Sequence, residues 1–305
     1  MTTSSTPPTI DPGAALHWER LPVLESPWLH EEVARRMEER LPWIRLQPQA
    51  WLDWAPLRGG QEAHGRLLAR YPKATVHVHE PHPPRIEQLR AQWERPWWQP
   101  ARWSRAASQF GLPPDGGVQM VWSNMALHAA HEPLEMIRQW HRSLAVDGFL
   151  MFSCLGPDTL KELRALYADA GWPAPSHAFT DMHDWGDMLV EAGFAEPVMD
   201  MERIVLTYEQ PQRLLAELRG LGRNLHPQRF PGLRGRAWHA QLIERLATHP
   251  ALSSVGDGRL GLTFEIIYGH AFKPTPRIRL AAESTVSLQE MKAVLRQDKK
   301  NSPGV

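Results

Sequence analysis

Between Gln49 and Leu155, short apolar runs and amphipathic stretches take turns along the chain, and this alternation limits the possible folds more than any other feature of the sequence. Gln49-Ala50-Trp51-Leu52-Asp53-Trp54 is an apolar run closed by Arg58-Gly59-Gly60, after which Glu62 to Tyr71 reads as a helix. Ala74 to His79 has the β-branched alternation of a strand and stops at Glu80-Pro81. Val118 to Ser123 predicts a third strand, Leu134 to Leu144 a helix, and the continuous apolar run from Gly148 to Leu155 a strand buried on both faces. Strands separated by helices demand right-handed crossovers, so the expected fold is α/β, with a mostly parallel sheet and helices on both faces.

The flanking segments extend this pattern. Val33, Met37 and Leu41 recur at spacing four, which predicts an amphipathic helix over 31–41. Asp158 to Ala170 reads as a helix with Leu160, Leu163 and Leu166 in register, and Gly156-Pro157-Asp158 before it as a stop signal and N-cap. A helix over 180–193 and strands over 198–208 and 262–272 follow. The long segment 212–258 between those two strands predicts a mostly helical lid, because so long a structureless loop is improbable inside a compact domain. The polar, Pro-rich start predicts a disordered lead over 1–26, the main domain then spans 27–276, and 277–305 is a polar tail.

Composition removes several function classes. Lys+Arg and Asp+Glu both number 34, so no basic surplus exists to neutralise a nucleic-acid backbone, and no nucleic-acid partner is expected. The single cysteine, Cys154, has no internal partner, and no apolar run reaches bilayer length. A cytoplasmic protein with no membrane partner is therefore expected. The 14 Trp include Trp97 and Trp98 in a Pro-flanked run, which reads equally as a stiff loop or a stacking platform.

In open α/β sheets, ligands bind beyond the carboxyl ends of the strands, which directs attention to four places, the last of them the Gly156-Pro157-Asp158 stop signal and N-cap. Asp53 to Gly60 follows the first strand, where Gly59 would let backbone approach a ligand or merely make a turn. Glu80 follows the second, as a carboxylate for a ribose diol or a solvated strand end. Asn124 follows the third, as a cofactor contact or a cap. His77, His79 and His82 surround Glu80 but supply too few ligands for the expectation of a metal site. The 212–258 segment carries Arg219, Arg223, Arg229, Arg234 and Arg236, of which at least one is expected to face an anionic substrate.

Several runs together resemble the malonyl-[acyl-carrier protein] O-methyltransferases of biotin synthesis. They include Glu32 to Met37, Ile44 to Pro48, Val121-Trp122-Ser123-Asn124, Gly156 to Arg164, Asp181 to Leu189, Pro197 to Glu202, Gly232 to Trp238 and Phe264 to Pro274. The resemblance implies a class I, Rossmann-like methyltransferase fold of seven strands that binds S-adenosylmethionine at Asp53, Gly59, Glu80 and Asn124. It also implies methyl transfer to the free carboxylate of a malonyl thioester, carried by acyl-carrier protein or coenzyme A. That reaction needs positioning and desolvation rather than a catalytic base, with Arg236 first, then Arg234 and Arg223, as the expected carboxylate contacts. The chain departs from the family's Asp-x-Gly-x-Gly-x-Gly turn, since Ala55 and Leu57 stand at the first two glycine places and only Gly59 is kept. The family's acidic residue near the adenine falls at Ala107, Gln119 stands at a further acidic place, and the aromatic of the N-terminal segment has no counterpart near Trp18 to Val23. A member that binds an acyl-carrier protein or a partner enzyme without turnover is the alternative implied by those departures.

Overall fold

A computed structural model describes residues 10–93, 108–255 and 259–276. The first nine residues, the Trp97-Trp98 run, Ala107 and the polar tail from 277 lie outside the described residues. The chain divides into the units Met1–Pro274 and Thr275–Val305, and the second is described only at Thr275 and Pro276.

The described strands are β1 (Ala50–Trp54), β2 (Thr75–His79), β3 (Ser108–Phe110), β4 (Val118–Ser123), β5 (Leu144–Leu155), β6 (Ala195–Tyr208) and β7 (Leu260–Phe272). They form one seven-stranded sheet in the order β3-β2-β1-β4-β5-β7-β6. β1 to β5 pair in parallel, and β7 runs antiparallel between β5 and β6. The mostly parallel sheet is the expected one. Its edge strand β3, only three residues long, has no apolar run to announce it. The chain leaves β1 outward to β2 and β3, then returns to β4 on the other side of β1. This reversal opens a crevice at the carboxyl ends of β1 and β4.

Strand side chains alternate between two helical layers, as the two-residue period of a strand requires. Trp51, Met120, Trp122, Phe149 and Met151 share a core with Leu29, Val33 and Met37 of α2 (Trp28–Glu38) and Leu67 of α4 (Gln61–Arg70). Leu52, Val121, Leu150 and Phe152 face Ile137 and Trp140 of α6 (Pro133–Ser143) and Trp185 and Leu189 of α8 (Met182–Glu191). Between β6 and β7 the insertion is helical, as α9 (Pro211–Leu221), α10 (Arg236–Thr248) and α11 (Pro250–Val255).

Two expectations are corrected. The disordered lead over 1–26 is, within its described part, structured: Pro12–Arg20 forms helix α1. Asp11 caps it by accepting the Ala14 N–H at 3.1 Å, Pro12 supplies a preset first turn, and Ala15 and Trp18 are buried with Leu225 of the insertion. An Asp11–Arg229 ion pair of 2.6 Å ties the same end down. Nor is Asp158 an N-cap. Leu160, in a left-handed conformation, precedes α7 (Lys161–Asp169), while the Asp158 carboxylate pairs with Arg203 at 2.8 Å.

Candidate functional site

The turn after β1 is rebuilt around its substituted glycine places. Ala55 keeps a left-handed backbone (φ 57°, ψ 47°), and Pro56–Gly59 then winds into a single helical turn, α3. Pro56 starts that turn with the φ a helix needs, and its ring faces no lost donor there. Leu57 points into the core and is fully buried. Gly59 lies so close to β4 that an added Cβ would stand 2.8 Å from the Asn124 carbonyl oxygen, which requires glycine for packing alone.

Asp53, Gly59, Glu80 and Asn124 are brought to one place, and each is engaged by the protein itself. Asp53 Oδ2 lies 2.7 Å from His64 Nδ1 of α4, and burial pushes its carboxyl upward against that contact. The Asn124 side-chain amide donates to the His30 carbonyl at 2.8 Å and to the Gly59 carbonyl, while its oxygen accepts from Ser153 Oγ at 2.6 Å. Glu80, 1% exposed, accepts the Leu57 N–H at 2.9 Å with Oε1. Its Oε2 has no hydrogen-bond partner among the described residues and stands 3.7 Å from Arg85 Nη1. Burial raises this carboxyl to about 7, against the pull of the Leu57 N–H, Arg85 and Arg58.

Helix α1 covers that cluster. Arg58 donates to the Trp18 carbonyl at 2.7 Å and to that of Leu21 at 3.3 Å, with its guanidinium 3.3 Å from the Trp18 ring centroid. Burial and the neighbouring Arg85 hold its pKa down to about 9. Arg85, from α5 (Pro83–Trp93), is buried and donates to the carbonyls of Trp18, Glu19 and Leu21. Two arginines thus clamp the end of α1 over Glu80.

On the other side of Trp18 lies a cavity of about 240 Å³. Leu155 of β5, Leu163 and Tyr167 of α7, Leu218 of α9 and Phe264 of β7 make its walls apolar. His128, Ser176, His177, Arg219 and Arg223 supply its polar groups. Arg219 and Arg223 have no carboxylate within ion-pair distance among the described residues. Arg223 instead donates to the Gly222 carbonyl at 2.8 Å, with its guanidinium 5.3 Å from the Trp18 ring.

Of the five arginines of the insertion, Arg219 and Arg223 line this cavity, and of the three expected first as carboxylate contacts only Arg223 does. Arg234 is held among Phe230, Trp238 and Trp172 at 4.1–5.6 Å, and Arg236 is an exposed residue in the first turn of α10. Arg85, Ser176 and His177 are missing from the sequence reading, and Arg58 enters it only as part of the turn after the first strand. The only signal for the arginines is position, since both stand within a few residues of the carboxyl ends of β1 and β2.

No protein-family model matches the chain. It is 41% identical over 259 residues to a malonyl-[acyl-carrier protein] O-methyltransferase of Gallionella capsiferriformans, covering 82% of this chain and 86% of that one. It is also 41% identical over 278 residues to the protein of the same name from Laribacter hongkongensis, with coverages of 87% and 88%. Among solved structures, a Bacillus halodurans protein described as a candidate methyltransferase superposes with a TM-score of 0.53 at 16% identity, covering 80% of this chain and 100% of that one, a likeness of fold.

Proposed function

The chain belongs to the malonyl-[acyl-carrier protein] O-methyltransferases, and from that premise we propose that it methylates the free carboxylate of a malonyl thioester on acyl-carrier protein, in biotin synthesis, with S-adenosylmethionine as donor. The observation that carries this reading is the cavity, apolar in its walls, with the guanidiniums of Arg219 and Arg223 lacking a carboxylate partner among the described residues. A malonyl thioester has the matching parts: an aliphatic thioester body for the walls and one anionic end for a guanidinium fork. A carboxylate is already a nucleophile, so the chain has to hold it and strip its water, and no general base is assigned.

S-adenosylmethionine supplies an electrophilic methyl group when bound. The residues at the family's cofactor turn do not fit it as arranged. Glu80 is sealed beneath Leu57, Arg85 and α1, and the Arg58–Trp18 stack covers the turn. We therefore include in the proposal that α1 yields before the donor can enter. The same closure favours a second reading, a member that binds the carrier-linked acyl group without turnover.

Incubating the protein with malonyl-acyl-carrier protein and S-adenosylmethionine, and following the carrier by mass spectrometry, tests the first reading. A mass gain of one methyl group, formed at least about tenfold more slowly by Arg223→Ala, supports it. No gain, with the malonyl carrier still bound, leaves the second reading standing and rejects the first.

A further inference from the structure

Two adjacent residues of the segment between α7 and α8, both lining the cavity, each carry a buried polar atom that no group among the described residues satisfies. Ser176 and His177 are 7% and 4% exposed, and both line the cavity. Ser176 Oγ and His177 Nδ1 have no hydrogen-bond partner among the described residues. A buried polar atom left unpaired is destabilising, so two of them in adjacent residues that line one cavity call for a ligand.

The donor and acceptor roles of the pair follow from its surroundings. His177 Nε2 lies 2.9 Å from the His128 carbonyl, which only accepts, so the proton sits on Nε2. Burial lowers the pKa of this ring, and the neutral ring then presents a bare lone pair at Nδ1. Ser176 has a hydroxyl proton to give. The cavity wall thus offers one acceptor and one donor in adjacent residues, against apolar walls.

We infer that Ser176 and His177 form a reader for a secondary amide, with the Ser176 hydroxyl donating to the amide carbonyl and His177 Nδ1 accepting the amide N–H. The inference rests on the thioester reading above. A pantetheine arm, the group through which a carrier protein or coenzyme A holds an acyl thioester, carries such an amide two carbons from the sulfur. The cavity would therefore recognise the arm as well as the acyl end, and Arg223 and the Ser176–His177 pair would read different parts of one substrate.

The test compares two small probes, the malonyl thioester of N-acetylcysteamine, which has the amide, and malonyl ethyl thioester, which lacks it. Their dissociation constants are measured by calorimetry on the full chain and on Ser176→Ala and His177→Gln. Glutamine places a donor where Nε2 was, keeping the bond to the His128 carbonyl while removing the Nδ1 lone pair. Both variants should bind the amide probe about tenfold more weakly, and the ethyl probe as the parent does. Melting temperature should be unchanged in Ser176→Ala, because the hydroxyl removed has no protein partner. Variants that weaken both probes equally, or neither, overturn the amide assignment and leave the thioester reading in place. If the parent binds neither probe, both fall. Malonyl-coenzyme A and malonyl-acyl-carrier protein, run in parallel, distinguish the two sources of the arm.

Discussion

If α1 closes the cofactor turn, loosening it should reveal affinity that the intact chain conceals, and Trp18 is the residue to change. Its side chain is 9% exposed, packs with Ala15 and Leu225, and stacks on Arg58 at 3.3 Å. Replacing a buried tryptophan by alanine removes about 3–5 kcal/mol of packing, including about 1–2 kcal/mol of guanidinium–indole attraction. The other ties are a partly exposed Asp11–Arg229 pair, worth about 0–1 kcal/mol, and the Arg58 and Arg85 bonds to carbonyls at the end of α1. A ligand that must displace α1 loses the docking free energy from its apparent affinity, so removing about 3 kcal/mol tightens binding about a hundredfold. S-adenosylhomocysteine is the suitable probe, since it cannot react. Calorimetry on the parent and on Trp18→Ala should show this difference, and hydrogen exchange over 12–20 should show α1 opening. Equal affinity in the two proteins, with α1 demonstrably open in the variant, would refute the reasoning and favour a turn closed by Leu57 and Glu80 themselves.

Leu57→Gly, which from sequence alone looks like the restoration of a glycine turn, should instead cost about 3–5 kcal/mol in urea unfolding, because Leu57 is fully buried and glycine adds a backbone entropy cost to the cavity; a cost under about 1 kcal/mol would mean the turn repacks. Arg223→Ala should lower malonyl turnover efficiency about ten- to a hundredfold in steady-state kinetics, whereas Arg236→Ala, at an exposed position outside the cavity, should change it less than twofold. Glu80→Gln should show a pH-dependent gain in stability. The buried carboxyl titrates near 7 when folded against 4.5 as its ordinary value, so the folded chain holds that proton more tightly and the parent loses stability as pH rises from about 4.5 to 7. Thermal melts should therefore favour Glu80→Gln more at pH 8 than at pH 5, and the reverse order would contradict the burial argument.

What could be read from the sequence, and what could not, divides along physical lines. Strands such as β4 and the buried part of β5, Gly148 to Leu155, announce themselves because burial on both faces favours a nearly continuous apolar run, whereas the more exposed start of β5 at Ala145 to Asp147 carries no such signal. Asp53, Glu80 and Asn124 converge because the topology of a parallel sheet gathers its carboxyl ends. Helix α1 was hidden by the polar composition around it, although Asp11-Pro12 is a start signal and Ala15 and Trp18 share a face. Arg85 was missed because an arginine is by default exposed, and here its burial rests on three backbone carbonyls at residues more than sixty positions away. Ser176 and His177 stand outside any regular element, so no periodicity assigns them a face. The choice among the insertion's arginines depends on the path of the loop between α9 and α10, which carries Arg223, Arg229 and Arg234, and spacing alone leaves that path open.

The three glycine places of the turn also bear on how such a chain can change over generations. Gly59 is pressed against the Asn124 carbonyl, so mutation there is opposed by folding whether or not a ligand is bound. The places at Ala55 and Leu57 have no such guard, since Ala55 tolerates its left-handed backbone at a cost of about 1 kcal/mol and Leu57 gains stability by burial. Drift at position 57 is thus a downhill path for stability that outweighs the small cost at position 55, and the return is uphill. A lineage that took it would regain an open turn only by crossing less stable intermediates or by first acquiring compensating changes elsewhere in the core.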